Sequence, residues 1–249
     1  MTNPEELRPR SDTPLTSFRR LIKKSRTNWF TAFLIDFLVI VGTALVLSVL
    51  IKAFLIRSFY IPSGSMLETL QINDRIIVNV MVPELIQVER GDVVVFRDPG
   101  GWLGEIPSVE KAPLQELGDF ILGTFGITAP DSAEHLVKRV IGLPGDVVEC
   151  CDADGRITVN GLPIDESYVR AGSTPSDVDF KVTVPEGSYW VMGDNRSNST
   201  DSRFHQDLPS KGFVAEDLLV GRAFLVSWPV ENWKFLDNFP GVFRDIPKP

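Results

Sequence analysis

Hydrophobic and polar positions divide this 249-residue chain into stretches of different period. Residues 37–51 carry no charged side chain, and the apolar character extends over 30–56, with Asp36 near one end and Lys52 able to snorkel near the other. At 1.5 Å per residue, about 20 residues cross a hydrocarbon core of about 30 Å, so the run predicts one membrane-spanning helix over 30–56. It is too long for a removable leader and lacks a small-residue cleavage site after it. Length and flanking charge also favour a span over a buried soluble helix.

After the span the pattern turns to short β-branched runs: 76–80, 92–96, 137–141, 147–149 and 157–159, with 180–184, 189–191 and 223–228 behind them. Gly, Pro and Asp-Gly punctuate these runs, and Asp154-Gly155 and Asn160-Gly161 are hairpin dipeptides that need positive φ. No long helical period follows the span and no internal repeat is visible. The fold expected is mainly β: a single N-terminal transmembrane helix followed by an extracytoplasmic domain of antiparallel β-sheets coiled around a small core. Residues 99–134 break the pattern, with Leu114, Leu117, Phe120, Ile121 and Phe125 at helical spacing. They read as a variable insertion, a surface excursion with a short amphipathic helix. The alternative, a membrane-touching flap, is disfavoured because the segment is mostly acidic and an anionic leaflet would repel it.

Charge orients the chain. Residues 1–29 carry seven Lys and Arg against three acids, net +4, and the total of −8 leaves −12 for residues 30–249. Cations beside a span stay cytoplasmic. Residues 1–29 are therefore expected to be a mobile cytoplasmic tail and 57–249 an extracytoplasmic domain in a single-pass cell-membrane protein. The acidity of that domain excludes nucleic acid as a partner. Cys150 and Cys151 are adjacent, far from metal-type spacing, and read as structural or weakly redox-active.

Candidate chemistry begins where the span meets water, at Ile61-Pro62-Ser63-Gly64-Ser65-Met66. A serine needs a base to become a nucleophile at neutral pH. The chain holds only His135 and His205, neither in a triad signature nor at metal spacing, and each reads as a surface or loop residue. A lysine serves if desolvation lowers its pKa. Lys138 shares a strand face with Leu136 and Val140, so its amine is expected among apolar side chains, with Arg139 pointing to water. From this segment alone, an ordinary edge-strand lysine stays open. A third polar stretch, 193–203, holds Asp194, Arg196, Asp201 and Arg203 among hydroxyls and can lock itself by bidentate ion pairs. It does not have calcium-loop spacing, so no metal is expected.

Together these segments resemble the bacterial signal peptidase I, or leader peptidase, family. Residues 61–70 resemble its serine box, 91–96 the strand that follows, 138–146 its lysine box and 193–203 its last box, in the family's order. The resemblance implies a membrane-anchored serine endopeptidase without cofactor or metal. It would act on preproteins at the lipid surface and remove their signal peptides after Ala-x-Ala-like small residues. Ser65 would be the nucleophile and Lys138 the general base. Ser63 would donate to the oxyanion, and Ser199 would hydrogen-bond and orient the lysine. Asp194, Arg196, Asp201 and Arg203 would hold the loop in shape. Ile61, Met66, Leu70 and Leu136 would line shallow pockets for small side chains. The chain departs from the pattern at Glu68, where proline is usual, at Ser197, where aspartate is common, and at Leu136, an aromatic in some members. It also shows one span where some relatives have two. Two rivals remain. Self-cleaving repressors share Ser-Lys chemistry but are cytosolic and bind DNA. A catalytically inactive anchored relative, acting as a binding or scaffold protein, would be expected to lack Ser65 or Lys138.

Overall fold

The computed structural model describes residues 29–104, 134–170 and 172–247. The helical spacing expected over 114–125 lies outside these residues. Helix α1 spans Trp29–Phe54, 26 residues, and its segment Trp29–Val49 is long and apolar enough to cross a membrane with none of its surface buried in protein.

From Ile51 onward the chain is a separate compact unit of β-sheet. Its strands are β1 (Ile56–Tyr60), β2 (Arg75–Asn79), β3 (Val93–Arg97), β4 (His135–Gly142), β5 (Val147–Cys150), β6 (Thr158–Val159), β7 (Leu162–Pro163), β8 (Phe180–Thr183), β9 (Ser188–Met192), β10 (Val214–Ala215), β11 (Leu219–Trp228) and β12 (Lys234–Phe235). Eight of them form one sheet in the order β1-β2-β11-β3-β4-β9-β10, with β12 on β11, and four form a second in the order β7-β6-β5-β8. Every pairing is antiparallel. The helix thus ends at Phe54 and the chain is already in a strand at Ile56, because Arg57 and Ser58 begin an alternation that pairs with β2.

Strands β3 and β4 are buried on both faces, which decides where the chemistry sits. Val93 and Val95 pack with Phe59, Ile61, Met66, Leu70, Ile76 and Val78. The alternate residues Val94 and Phe96 pack with Leu136, Val140, Tyr189 and Val191. A third cluster, with Ile141, Val148, Ile157, Phe180 and Trp190, joins the second sheet to the first. That junction needs Gly142, since a Cβ there would lie 2.6 Å from Val148 Cγ2. Arg90 clamps the same corner, donating to both oxygens of Asp146 at 2.7 and 2.6 Å. Two-sided burial also corrects the expectation that Arg139 points to water: it is fully buried. Strand alternation sends a side chain to the opposite face, and here that face is covered too. Cys150 and Cys151 are joined as a disulfide.

Candidate active site

The turn carrying Ser65 is held by its apolar neighbours. Ile61, Met66 and Leu70 sink into the cluster under β2 and β3. The backbone closes over them through Leu67 N–H to Gly64 O at 3.2 Å and Leu70 N–H to Met66 O at 2.7 Å. With those anchors inside, Ser63 is left exposed and Ser65 half-buried. Their hydroxyls lie 3.4 Å apart. Glu68 has φ +80°, which a proline ring, fixed near −65°, cannot adopt. The departure from the usual proline therefore goes with a different local turn.

Lys138 stands on β4 opposite Val94, on the side that Val94, Leu136 and Val140 pack. Only 4% of its surface is exposed. Its Nζ lies 2.8 Å from Ser65 Oγ and 3.1 Å from Val137 O. Burial lowers the amine's pKa from 10.5 to about 8, against the pull of Asp201 and then Asp194, which favour the charged form. Among the described residues no carboxylate forms an ion pair with it. The edge-strand alternative does not hold, because β4 lies inside the sheet between β3 and β9.

The 193–203 loop is braced, though mostly from outside itself. Arg203 grips Asp201 within the loop, with Nε and Nη2 each donating at 2.8 Å to different oxygens. Asp194 instead accepts from Arg139 Nε and Nη2 at 2.9 and 2.7 Å, and from Thr69 Oγ1. Arg196 donates to both oxygens of Glu166 at 2.5 and 2.6 Å and through Nε to Gly193 O at 3.0 Å. Only one of the three clamps is internal, which corrects the expectation of a self-locked loop. Asp201 also accepts from Gly193 N–H at 2.9 Å. Burial alone would raise its pKa, but Arg203 and Gly193 hold it below the usual range.

Gly193 is where loop and nucleophile meet. A Cβ on it would fall 2.5 Å from Ser65 O and 2.2 Å from Ser199 Oγ, so no larger residue fits without displacing one of them. Asn195 N–H donates to Ser65 O at 3.1 Å, and its Nδ2 donates to Gly64 O at 2.8 Å.

Several expectations need correcting. Ser199 is buried, but its hydroxyl completes no hydrogen bond of good geometry, to Lys138 or to any other group. The neighbouring Asp201 carboxylate competes for its orientation. Leu136 is separated from Ile61, Met66 and Leu70. It packs in the cluster with Phe96 and Tyr189, because the sheet runs between the two groups. His205 is not a surface residue: it is buried, its ring stacked on Trp102 at 4.3 Å. Among the described residues no group of three or more His, Cys, Asp or Glu is placed to hold a metal. A cleft of about 700 Å³, with Arg90, Pro144, Tyr189 and Arg244 in its wall, includes neither Ser65 nor Lys138.

Sequence reasoning missed Asn195, Arg139, Thr69, Glu166 and Tyr168. Asn195 was within reach, inside the 193–203 loop between Asp194 and Arg196. Nothing marked Glu166 or Tyr168, whose arginine partners lie about 30 residues away.

Comparison with known proteins places the chain in a family. The family model described as "Signal peptidase, peptidase S26" matches residues 34–228. A Synechocystis protein named "Probable signal peptidase I-2" is 37% identical over 188 residues, 76% of this chain and 70% of that protein. "Signal peptidase I" of Mycobacterium tuberculosis is 35% identical over 231 residues, 85% of this chain and 76% of its own. "Signal peptidase I" of Leptolyngbya laminosa is 34% identical, covering 77% and 78%. With a buried amine against a serine hydroxyl and a family match running through both, the chain belongs to the signal peptidase family of serine peptidases, peptidase S26.

Proposed function

We propose that this protein is a membrane-anchored endopeptidase that removes N-terminal signal peptides from exported preproteins, cutting after small residues. The observation that carries the reading is the buried Lys138 Nζ, 2.8 Å from Ser65 Oγ, with its pKa lowered to about 8.

A neutral amine has two N–H donors and one lone pair. Val137 O takes one donor at 3.1 Å, which leaves the lone pair for the Ser65 proton. As Oγ bonds the scissile carbonyl carbon, its proton passes to Lys138 Nζ and the carbonyl oxygen becomes an oxyanion. The Ser65 backbone N–H and the Ser63 hydroxyl hold that oxygen. Losing one such donor costs about a hundredfold or more in rate. The ammonium then gives its proton to the leaving nitrogen as the C–N bond breaks, leaving an ester on Ser65. Lys138, neutral again, takes a proton from water as the water attacks the ester, and returns it to Oγ as the C–O bond breaks. Ser199, buried beside Gly193, is the hydroxyl assigned to orient the amine. Ile61, Met66 and Leu70 form the floor of the apolar subsites.

Helix α1 is the membrane anchor. The cationic residues before it keep the N-terminus in the cytoplasm and place the β domain outside, at the lipid surface where a preprotein's leader resides. The inactive-relative alternative has no support, since both Ser65 and Lys138 are present and in contact.

The test uses full-length protein in detergent with a preprotein substrate, its new N-terminus mapped by mass spectrometry. Wild type is expected to release a mature chain cut after a small residue, and Ser65→Ala and Lys138→Ala to release none. Equal cleavage by either variant sinks the proposal.

A further inference from the structure

We infer that Glu166, with Tyr168 beside it, is a positioning residue for the Ser65–Lys138 chemistry, acting through Arg196 on the backbone that supports the nucleophile. This inference rests on the peptidase reading above.

Glu166 belongs to the connection between β7 and β8, on the second sheet, remote in sequence from every segment that resembles a family box. Its side chain is only 7% exposed, and that of Arg196 is fully buried. An arginine buried this way needs a carboxylate to remain charged at tolerable cost. A bidentate carboxylate does more than neutralise it: two parallel N–H···O bonds fix the plane of the fork. Once Nη1 and Nη2 are committed to Glu166, Nε has one direction left, and it meets Gly193 O at 3.0 Å. Gly193 in turn packs closely on the nucleophile's backbone, where a Cβ would fall 2.5 Å from Ser65 O, and Asn195 N–H, two residues on, donates to that same oxygen at 3.1 Å. The carboxylate of Glu166 therefore sets, through one guanidinium and one glycine, where the Ser65 main chain lies.

Glu166 is itself oriented. Tyr168 Oη donates to Glu166 Oε1 at 2.7 Å. The buried Tyr168 ring lies near two arginines of the site, with Arg139 Cζ 4.3 Å and Arg196 Cζ 6.0 Å from its centroid. Arg139 is the next residue after Lys138 and the partner of Asp194. One aromatic ring thus contacts both the arginine next to Lys138 and the arginine that serves the serine side. The same connection touches the site twice more. Pro175 O accepts from Arg196 Nη1 at 3.3 Å, and Arg170 approaches Glu68 of the serine turn at 3.8 Å. A second-sheet segment that contacts the serine turn and the polar loop together is placed to hold them in register.

Glu166→Gln would strand a buried cation and fail to fold, so the test uses Glu166→Asp and Tyr168→Phe in the full chain. Aspartate keeps the charge but withdraws the carboxylate by about 1.5 Å. Competent sites are counted from the amplitude of the first turnover, so that kcat is expressed per folded site. Glu166→Asp is expected to lower kcat per site about ten- to a hundredfold, with KM unchanged and the half-maximal pH still near 8. Tyr168→Phe is expected to lower it about fivefold. If both variants keep wild-type kcat per site and lose only thermal stability, the role is structural and the inference falls. If Glu166→Asp does not fold, Tyr168→Phe decides alone by the same criterion. Wild-type protein that cuts no preprotein overturns the peptidase reading instead, and the inference with it.

Discussion

The lowering of the Lys138 pKa from 10.5 to about 8 determines how cleavage responds to pH. At pH 7 about one amine in ten is then neutral, where an ordinary lysine offers about one in three thousand. Burial thus raises the competent fraction roughly 300-fold, equivalent to about 3 kcal/mol. The cause is loss of hydration, because Lys138 is 4% exposed and, among the described residues, its amine hydrogen-bonds only Ser65 Oγ and Val137 O. The assay is kcat/KM on a peptide with an Ala-x-Ala cleavage site, from about pH 6 to about pH 10 at constant ionic strength. Below the midpoint the rate should climb tenfold per pH unit, reach half its maximum near 8 and level off above. A midpoint near 6.5 would implicate a histidine, and one near 10.5 a solvated lysine. Either result, or a flat profile, refutes the argument that a desolvated Lys138 is the base.

The same burial has a thermodynamic sign. The folded pKa of Lys138 lies below the unfolded one, so the unfolded chain binds more protons between about 8 and 10.5 and stability rises with pH across that window. Lys138→Met should therefore be inactive yet more stable at pH 7 by about 1–3 kcal/mol, a gain that fades toward pH 10.5; denaturant melts that show it destabilised would contradict this. Gly193→Ala should cut kcat by about a hundredfold or more, because its methyl group displaces Ser65 O or Ser199; wild-type turnover per folded molecule is the outcome against it. Ser199→Ala should leave the melting midpoint nearly unchanged, since the hydroxyl completes no hydrogen bond, while lowering kcat about tenfold or more. A large loss of stability with kcat intact would reverse that assignment.

What could be read from the chain followed physical period. Branched residues at alternate positions marked β2, β3, β4, β9 and β11 because a two-residue repeat is a local property. Strand β1 was missed because Ile56 continues the apolar run of the span. Three of the four two-residue strands, β7, β10 and β12, are too short to show any period, while β6 was read from the branched run 157–159. Lys138 was half legible from its own strand: Leu136 and Val140 flank it on one face, but only the neighbours β3 and β9 show that the strand is not an edge. Arg139 was misjudged on the same strand, because alternation says which residues share a face and not whether the other face is covered. The braces of the 193–203 loop were half legible. Charges at 194, 196, 201 and 203 announced ion pairs, but a sequence does not say that Arg139 and Glu166 take two of them. Ser199 was assigned a contact that the structure does not contain, since a hydroxyl's direction depends on neighbours folded in from elsewhere.

Lys138 and Arg139 are consecutive cations facing opposite sides of one strand, and the contrast between them has a consequence for how such a site could fail. Arg139 occupies both oxygens of Asp194, a carboxylate whose field otherwise favours a proton on Lys138. Mutational loss of the arginine would therefore silence its neighbour electrostatically, by leaving an unbalanced anion to keep the amine protonated.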